Sequence, residues 1–274
     1  MCVLFCLAVA AILFVGWRLR MADLIAAEHG LGHVLGIVGA SLMALLMIYP
    51  ARKRIPALRV IGSVKMWFCI HMMLGVLGPV CILFHAGFRL GSVNSSVALF
   101  LMLAIAASGI LGRYAYCKIH DGLYGRRITL LELSDRLNNE KEEVRKQFAP
   151  VPGIKEELLS VAAEALQPCT SLSESIRRLF SVRYRSILAP WRVRRLANAH
   201  LKNDAVRRGW TRMMKAAVRR RLKLQAELFL EQTVDFAQFA FFERLFALWQ
   251  VLHIPSSCIL AFVVLVHVLA ASLY

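Results

Sequence analysis

Five stretches of this chain are long and apolar: Cys2–Trp17, Gly30–Tyr49, Met66–Phe88, Val93–Leu111 and Phe239–Leu273. A helix needs roughly 20 apolar residues to cross the hydrocarbon core of a bilayer, about 30 Å. Inside lipid each segment must satisfy its own backbone hydrogen bonds, so every such stretch reads as a helix. The expected fold class is therefore all-α: an integral membrane helical bundle of about five transmembrane helices with a helical cytoplasmic insertion. Composition agrees, since 58% of the residues are hydrophobic and the mean hydropathy is +0.59, more than a water-filled surface tolerates. The first stretch lacks a basic leader, and no small-residue cleavage pattern precedes Arg18 and Arg20, so it is expected to be a retained helix.

Charge divides the chain. Of 34 Lys and Arg residues, 24 fall between Tyr114 and Gln238, as do 14 of the 17 acidic residues, and the formal net charge is +17. Three regions are expected: transmembrane helices over 1–113, a basic cytoplasmic insertion over 114–238, and a last transmembrane helix over 239–274. Arg52, Lys53, Arg54, Arg59 and Lys65 follow the second stretch, whereas the loop after the third carries only Arg89. The excess of cations on cytoplasmic loops then puts the N-terminus in the cytoplasm and the C-terminus outside. The third and fifth helices run in the same direction.

Eight histidines occur, and four lie in those two helices: His71 and His85, then His253 and His267. Each pair is 14 residues apart, which is about 1400° of helix, close to four whole turns, and about 21 Å of rise. Each pair thus shares one helix face. On co-directional helices His71 faces His253 at one depth and His85 faces His267 at the other. Imidazole on both sides of a haem iron gives a six-coordinate, electron-transferring centre, and helix bundles build such sites from facing helices. The expected cofactors are two haem b groups, with His71 and His253 on the inner iron and His85 and His267 on the outer iron. A single intramembrane histidine is more often a helix-to-helix hydrogen bonder or proton relay; the matched spacing is what favours ligands.

Other residues take supporting readings. Gly75, Gly78 and Gly87 leave space beside His71 and His85, and Pro255 is expected to kink the helix after His253. Candidate partners for haem propionates are Arg89 outside and Lys65, Arg113 and Arg244 inside. His33, with His29 four residues earlier, is a candidate proton acceptor at a quinone site or a replacement outer ligand, weighed against an ordinary interfacial role. His120 and His200 read as surface residues. Seven cysteines show no CxxC spacing, which points away from a zinc site, a disulfide framework or covalent haem attachment.

The two histidine pairs resemble those of the ferric-reductase-like family of transmembrane cytochromes b, which includes the membrane domain of NADPH oxidases. The run Gly112–Leu133, GRYAYCKIHDGLYGRRITLLEL, is also similar to a "GRYxYxxI…GRxLxLxEL" stretch in bacterial relatives associated with multihaem cytochromes c. The resemblance implies the four haem ligands above and a bacterial inner membrane. Two departures matter. No GxGxxG fingerprint is present and the sequence ends at Tyr274, so hydride transfer from NAD(P)H by flavin and nicotinamide domains is not expected. The basic insertion is also foreign to the family pattern.

Within the insertion, Thr129–Phe148, Ile154–Leu166 and Ser173–Phe180 read as helices, and one long helix is expected from Pro190 into the last span. Between Arg177 and Lys223 stand 16 basic residues and one acid, Asp204. Tethered beside an anionic leaflet, such a run, with Trp191 and Trp210, is expected to dock on lipid or a subunit, and not on nucleic acid. The leading expectation is an electron-transfer subunit that links a quinone pool, or another redox donor, to a periplasmic cytochrome c or reductase. The alternatives are a quinol dehydrogenase or metal-ion reductase acting at one surface, with His33 serving the proton step, and a non-redox structural subunit.

Overall fold

A computed structural model describes residues 2–19, 30–60, 62–120, 130–209 and 211–273. Among them every regular element is helical and none is a strand. Internal contacts divide the chain into two compact units: Met1–Arg113 with Trp249–Tyr274, and Tyr114–Leu248. The second break falls ten residues (248 less 238) beyond the end of the insertion as read from sequence. His29, Arg20, Trp210 and residues 121–129 of the Gly112–Leu133 motif lie outside the described residues.

Unit 1 contains α1 (Cys2–Leu19), α2 (Gly30–Leu45), α3 (Ile48–Arg54), a 3-10 turn (Pro56–Val60), α4 (Val64–His85), the first part of α5 (Val93–His120) and the end of α9 (Arg212–Leu273). Among the described residues four helical stretches are long and apolar enough to cross a membrane: Gly30–Arg52, Val64–His85, Val93–Ile119 and one within Arg212–Ala271. This is one fewer than expected. The first stretch forms α1, whose 18 residues rise about 27 Å, and within it Leu7–Arg18 is a shorter apolar helix.

The backbones of α2 and α4 approach closely because glycine stands at the contact. A Cβ on Gly36 would lie 2.7 Å from Nδ1 of His85, one on Gly39 would lie 2.8 Å from Ile82, and one on Gly78 would lie 2.9 Å from Met43. Small residues that admit a neighbouring helix are how apolar helices pack without a hydrophobic driving force. Gly78 was expected to make room for a flat macrocycle; its open side is filled by α2 instead. Gly87 has a different use again. With φ of 56° at Gly87 and 55° at Phe88, the chain turns out of α4, and the N–H of Phe88 closes the turn on the carbonyl of Leu83 at 3.1 Å; glycine accepts that left-handed backbone at little cost. At the other end Ser63 caps α4, its Oγ accepting the N–H of Met66 at 3.2 Å. Arg52 is buried and donates to the carbonyl of Gly62 at 2.6 Å, so this member of the basic loop ties α3 to the approach to α4.

Unit 2 is built on water-soluble rules. It contains the end of α5, then α6 (Leu130–Gln147), α7 (Pro152–Leu166), α8 (Leu172–Arg208) and the first part of α9. One apolar core joins Leu137, Val144 and Phe148 to Ile154, Leu158 and Val161 of α7, Val182 and Val193 of α8, and Phe229 and Phe236 of α9. Pro152 occupies the first turn of α7, where its missing N–H costs nothing. α8 opens with a capping box: Oγ of Ser171 accepts the N–H of Glu174, whose carboxylate accepts the N–H and hydroxyl of Thr170 at 2.8 and 3.1 Å. Those bonds, the Thr170 N–H first, hold the Glu174 carboxyl below its ordinary value.

The single helix expected from Pro190 onward does not form. Pro190 lies inside α8, where core contacts on both sides of it outweigh the lost backbone bond. The break comes at Gly209, with φ of 63°. Thr211 then starts α9, its hydroxyl accepting the N–H of Met214 at 3.3 Å. From Arg212, α9 does continue without interruption through Pro255 to Leu273.

Candidate functional site

The site histidines all lie in unit 1. On α4, His71 and His85 both turn toward α2. Nδ1 of His85 is 2.9 Å from the carbonyl oxygen of Gly32, and Nδ1 of His71 is 3.3 Å from that of Leu46. A carbonyl only accepts, so a hydrogen bond there puts a proton on Nδ1 of each ring. The acceptor at Leu46 has a local cause. In a continuing helix its partner would be the N–H of residue 50, but residue 50 is proline and has none. His71 supplies the missing donor.

On α9, Nδ1 of His253 is 2.7 Å from Oγ of Ser108 on α5. The Ser108 hydroxyl gives its own proton to the carbonyl of Ile105 at 2.8 Å. Nδ1 of His253 thus has a hydroxyl partner that can accept from it while giving its own proton to Ile105. Three of the four histidines have Nδ1 within hydrogen-bond distance of a protein oxygen, the anchoring that the second nitrogen of a metal-ligating imidazole receives.

His71 and His253 also lie close enough to interact electrostatically, and both are half-buried. Each has an aromatic neighbour: the Tyr49 ring is 5.1 Å from that of His71, and the Trp249 ring stacks on His253 at 4.7 Å and 30°. α5 makes room for the latter pair. A Cβ on Gly112 would fall 2.2 Å from the Trp249 ring, and one on Gly109 would fall 3.9 Å from Cε1 of His253. His267 is half-buried on α9, and none of the described contacts links it to His85. Among the described residues no group of three or more His, Cys, Asp or Glu side chains gathers.

The supporting residues separate. Arg113 stands over the Phe68 ring at 6.0 Å, and Phe68 in turn neighbours Tyr49 at 6.1 Å, so this cation belongs to the aromatic group around His71. Lys65 and Arg89 are exposed at opposite ends of α4. Arg244 is in unit 2 and donates to the carbonyls of Cys169 and Thr170; it closes the α7–α8 connection, which replaces its expected role beside a propionate. His33 is exposed on the first turn of α2, next to the carbonyl that holds His85. Ser108 and the Leu46 carbonyl were not anticipated. The second had a signal in Pro50; the first had none, because serine in an apolar helix is common.

No protein-family profile, curated protein or solved structure matches this chain.

Proposed function

We propose that unit 1 is a membrane-embedded b-type cytochrome of the ferric-reductase-like kind and that the chain is an electron-transfer subunit. The observation that carries this reading is the shared anchoring of His71, His85 and His253, each with Nδ1 within hydrogen-bond distance of a protein oxygen. Imidazoles held in that way would fit haem iron through Nε2. His71 and His253 would hold the inner haem, and His85 and His267 the outer one; haem bound there supplies one-electron transfer. The chain's own residues do the positioning. The carbonyls of Gly32 and Leu46 and the hydroxyl of Ser108 orient the rings, and Arg113 offers positive charge beside the inner pair.

In this reading the basic loops face the cytoplasm of a bacterial cell, the C-terminus faces the periplasm, and electrons pass between a quinone pool or redox donor and a periplasmic cytochrome c or reductase. The basic run 177–223 docks on anionic lipid or a subunit. A non-redox structural subunit is the second reading, favoured by the fact that hydrogen bonds from His71 and His85 to α2 also serve helix packing. The reduced-minus-oxidised absorption spectrum of the purified protein, with haem counted per chain, separates the two. Two b-type haems per chain are expected; one refutes the paired arrangement, and none leaves only the structural reading.

A further inference from the structure

Helix α8 has two apolar faces, and unit 2 buries one of them. Val182, Ala189, Val193 and Ala197 lie in the core. On the far side Ile176, Phe180, Tyr184, Ile187 and Trp191 are exposed by 39, 69, 64, 68 and 65%. Their offsets of four, four, three and four residues place them on one stripe about 22 Å long. Scattered apolar residues on a surface are ordinary, but five in register, three of them aromatic, form a contact face.

The arginines of α8 sort by face. Arg178, Arg185 and Arg192 serve the fold: Arg178 bonds the carbonyl of Pro168 at 3.3 Å, Arg185 pairs with Glu164 at 2.8 Å, and Arg192 pairs with Glu157 at 2.7 Å. Arg177, Arg183, Arg194 and Arg195 are exposed, and at 100° per residue they flank the stripe on its two sides. Arg195 lies over the Trp191 ring at 6.0 Å.

We propose that this stripe is seated in the headgroup region of an anionic lipid surface. A helix that lies in a membrane interface combines an apolar face rich in Trp, Phe and Leu-like residues with basic side chains at its margins, whose stems cover apolar surface while their heads reach phosphate. Both parts are present here in register. The charge selects the occupant. With 16 basic residues and one acid over 177–223, a second copy would set arginine rows against each other, whereas an anionic leaflet complements them. On the α9 side the stripe borders a cleft of about 320 Å³, lined by Ile187 and Arg183 from α8 and by Glu227, Glu231 and Asp235 from α9; these carboxylates disfavour anionic lipid there, so the contact is centred on Phe180, Tyr184 and Trp191. The assignment rests on the membrane reading of unit 1 and is independent of haem.

The test uses the full chain in nanodiscs of phosphatidylcholine with or without phosphatidylglycerol, carrying Phe180→p-benzoylphenylalanine or, as a control on an exposed site of α7, Ala163→p-benzoylphenylalanine. After irradiation the adducts are identified by mass spectrometry. Lipid adducts at 180 and not at 163, at least about fivefold more abundant in phosphatidylglycerol discs, are expected from about 1 kcal/mol per interfacial cation. Adducts at 180 to protein, or no adduct, overturn the lipid assignment, and equal yields in both discs overturn its anionic part. Failure of the chain to enter discs overturns it together with the membrane reading. The haem spectrum of the same discs reports on the redox reading separately.

Discussion

The two units handle apolar side chains in opposite ways, and α9 shows both within one helix. In unit 2 its Ala226, Phe229, Leu230, Phe236 and Ala237 are buried in a core shared with α6, α7 and α8. Past Leu248 the same helix exposes Val251, Leu252, Phe262, Leu265 and Leu269 by 52–69%. Unit 1 buries no more than 11% of any of its apolar windows, while His71, His85 and His253 are half-buried and hydrogen-bonded. Polarity inside and apolar surface outside is what lipid rewards; the reverse is what water rewards. The contrast also separates two kinds of damage. Substitution in unit 2 should cost folding energy, and substitution at the histidines of unit 1 should cost cofactor.

The sharpest break in that contrast comes from the ligands. His71→Ala or His253→Ala should abolish one of two haems, halving the haem-to-protein ratio, while unit 2 melts as before; unchanged haem content refutes the inner pair. Next comes Phe148→Ala, which removes a fully buried ring and should destabilise unit 2 by about 3–5 kcal/mol in a denaturant titration, with no change in the haem spectrum. Gly36→Ala places a methyl group 2.7 Å from the His85 ring. It should perturb the absorption band of the outer centre and leave the inner one alone, and the opposite pattern would show that His85 has been assigned to the wrong site. Ser108→Ala deprives Nδ1 of His253 of its hydroxyl partner, at about 1–2 kcal/mol for a lost hydrogen bond. It should shift the inner midpoint potential in a redox titration without loss of haem, whereas a purely structural serine would leave the potential where it was.

The smallest effect concerns protons in unit 2. Burial raises the Glu164 carboxyl, but hydrogen bonds from Ser181 and Arg185 and the charges of Arg185 and Arg178 outweigh it, so the net value is lowered. A depressed folded value stabilises the fold above the unfolded one, about 4.3, and that contribution is lost as pH falls through the folded value. Acidification below about pH 5 should therefore destabilise unit 2 less in Glu164→Gln than in the unaltered chain, read from melting temperatures at pH 3 to 6.

Sequence periodicity makes part of this legible. The 14-residue interval puts both α4 histidines on one face, where Nδ1 of each lies within hydrogen-bond distance of a carbonyl of Gly32 or Leu46. The partner of that α4 face was not legible. Gly36, Gly39 and Gly78 carry the close α2–α4 approach, but glycine in an apolar helix signals a neighbour without saying which. At Pro190 local propensity pointed to a helix start and tertiary packing prevailed. The end of α8 was marked all along by Gly209, which supplies the left-handed residue there.

The oxygens that hold the two α4 rings are 14 residues apart, 46 less 32, and so are the rings themselves, 85 less 71. α2 therefore works as a gauge laid antiparallel beside α4, with one stop at each end. A single residue inserted between Gly32 and Leu46 would advance one stop by about 1.5 Å and turn it by about 100°, enough to detach one imidazole from its acceptor while the other stayed in register. Any lengthening of α4 between its histidines would need an equal lengthening of α2. An insertion in either helix alone would therefore break one of the two bonds, so the span that bears no ligand in the proposed scheme should be as sensitive to insertion as the one that bears two.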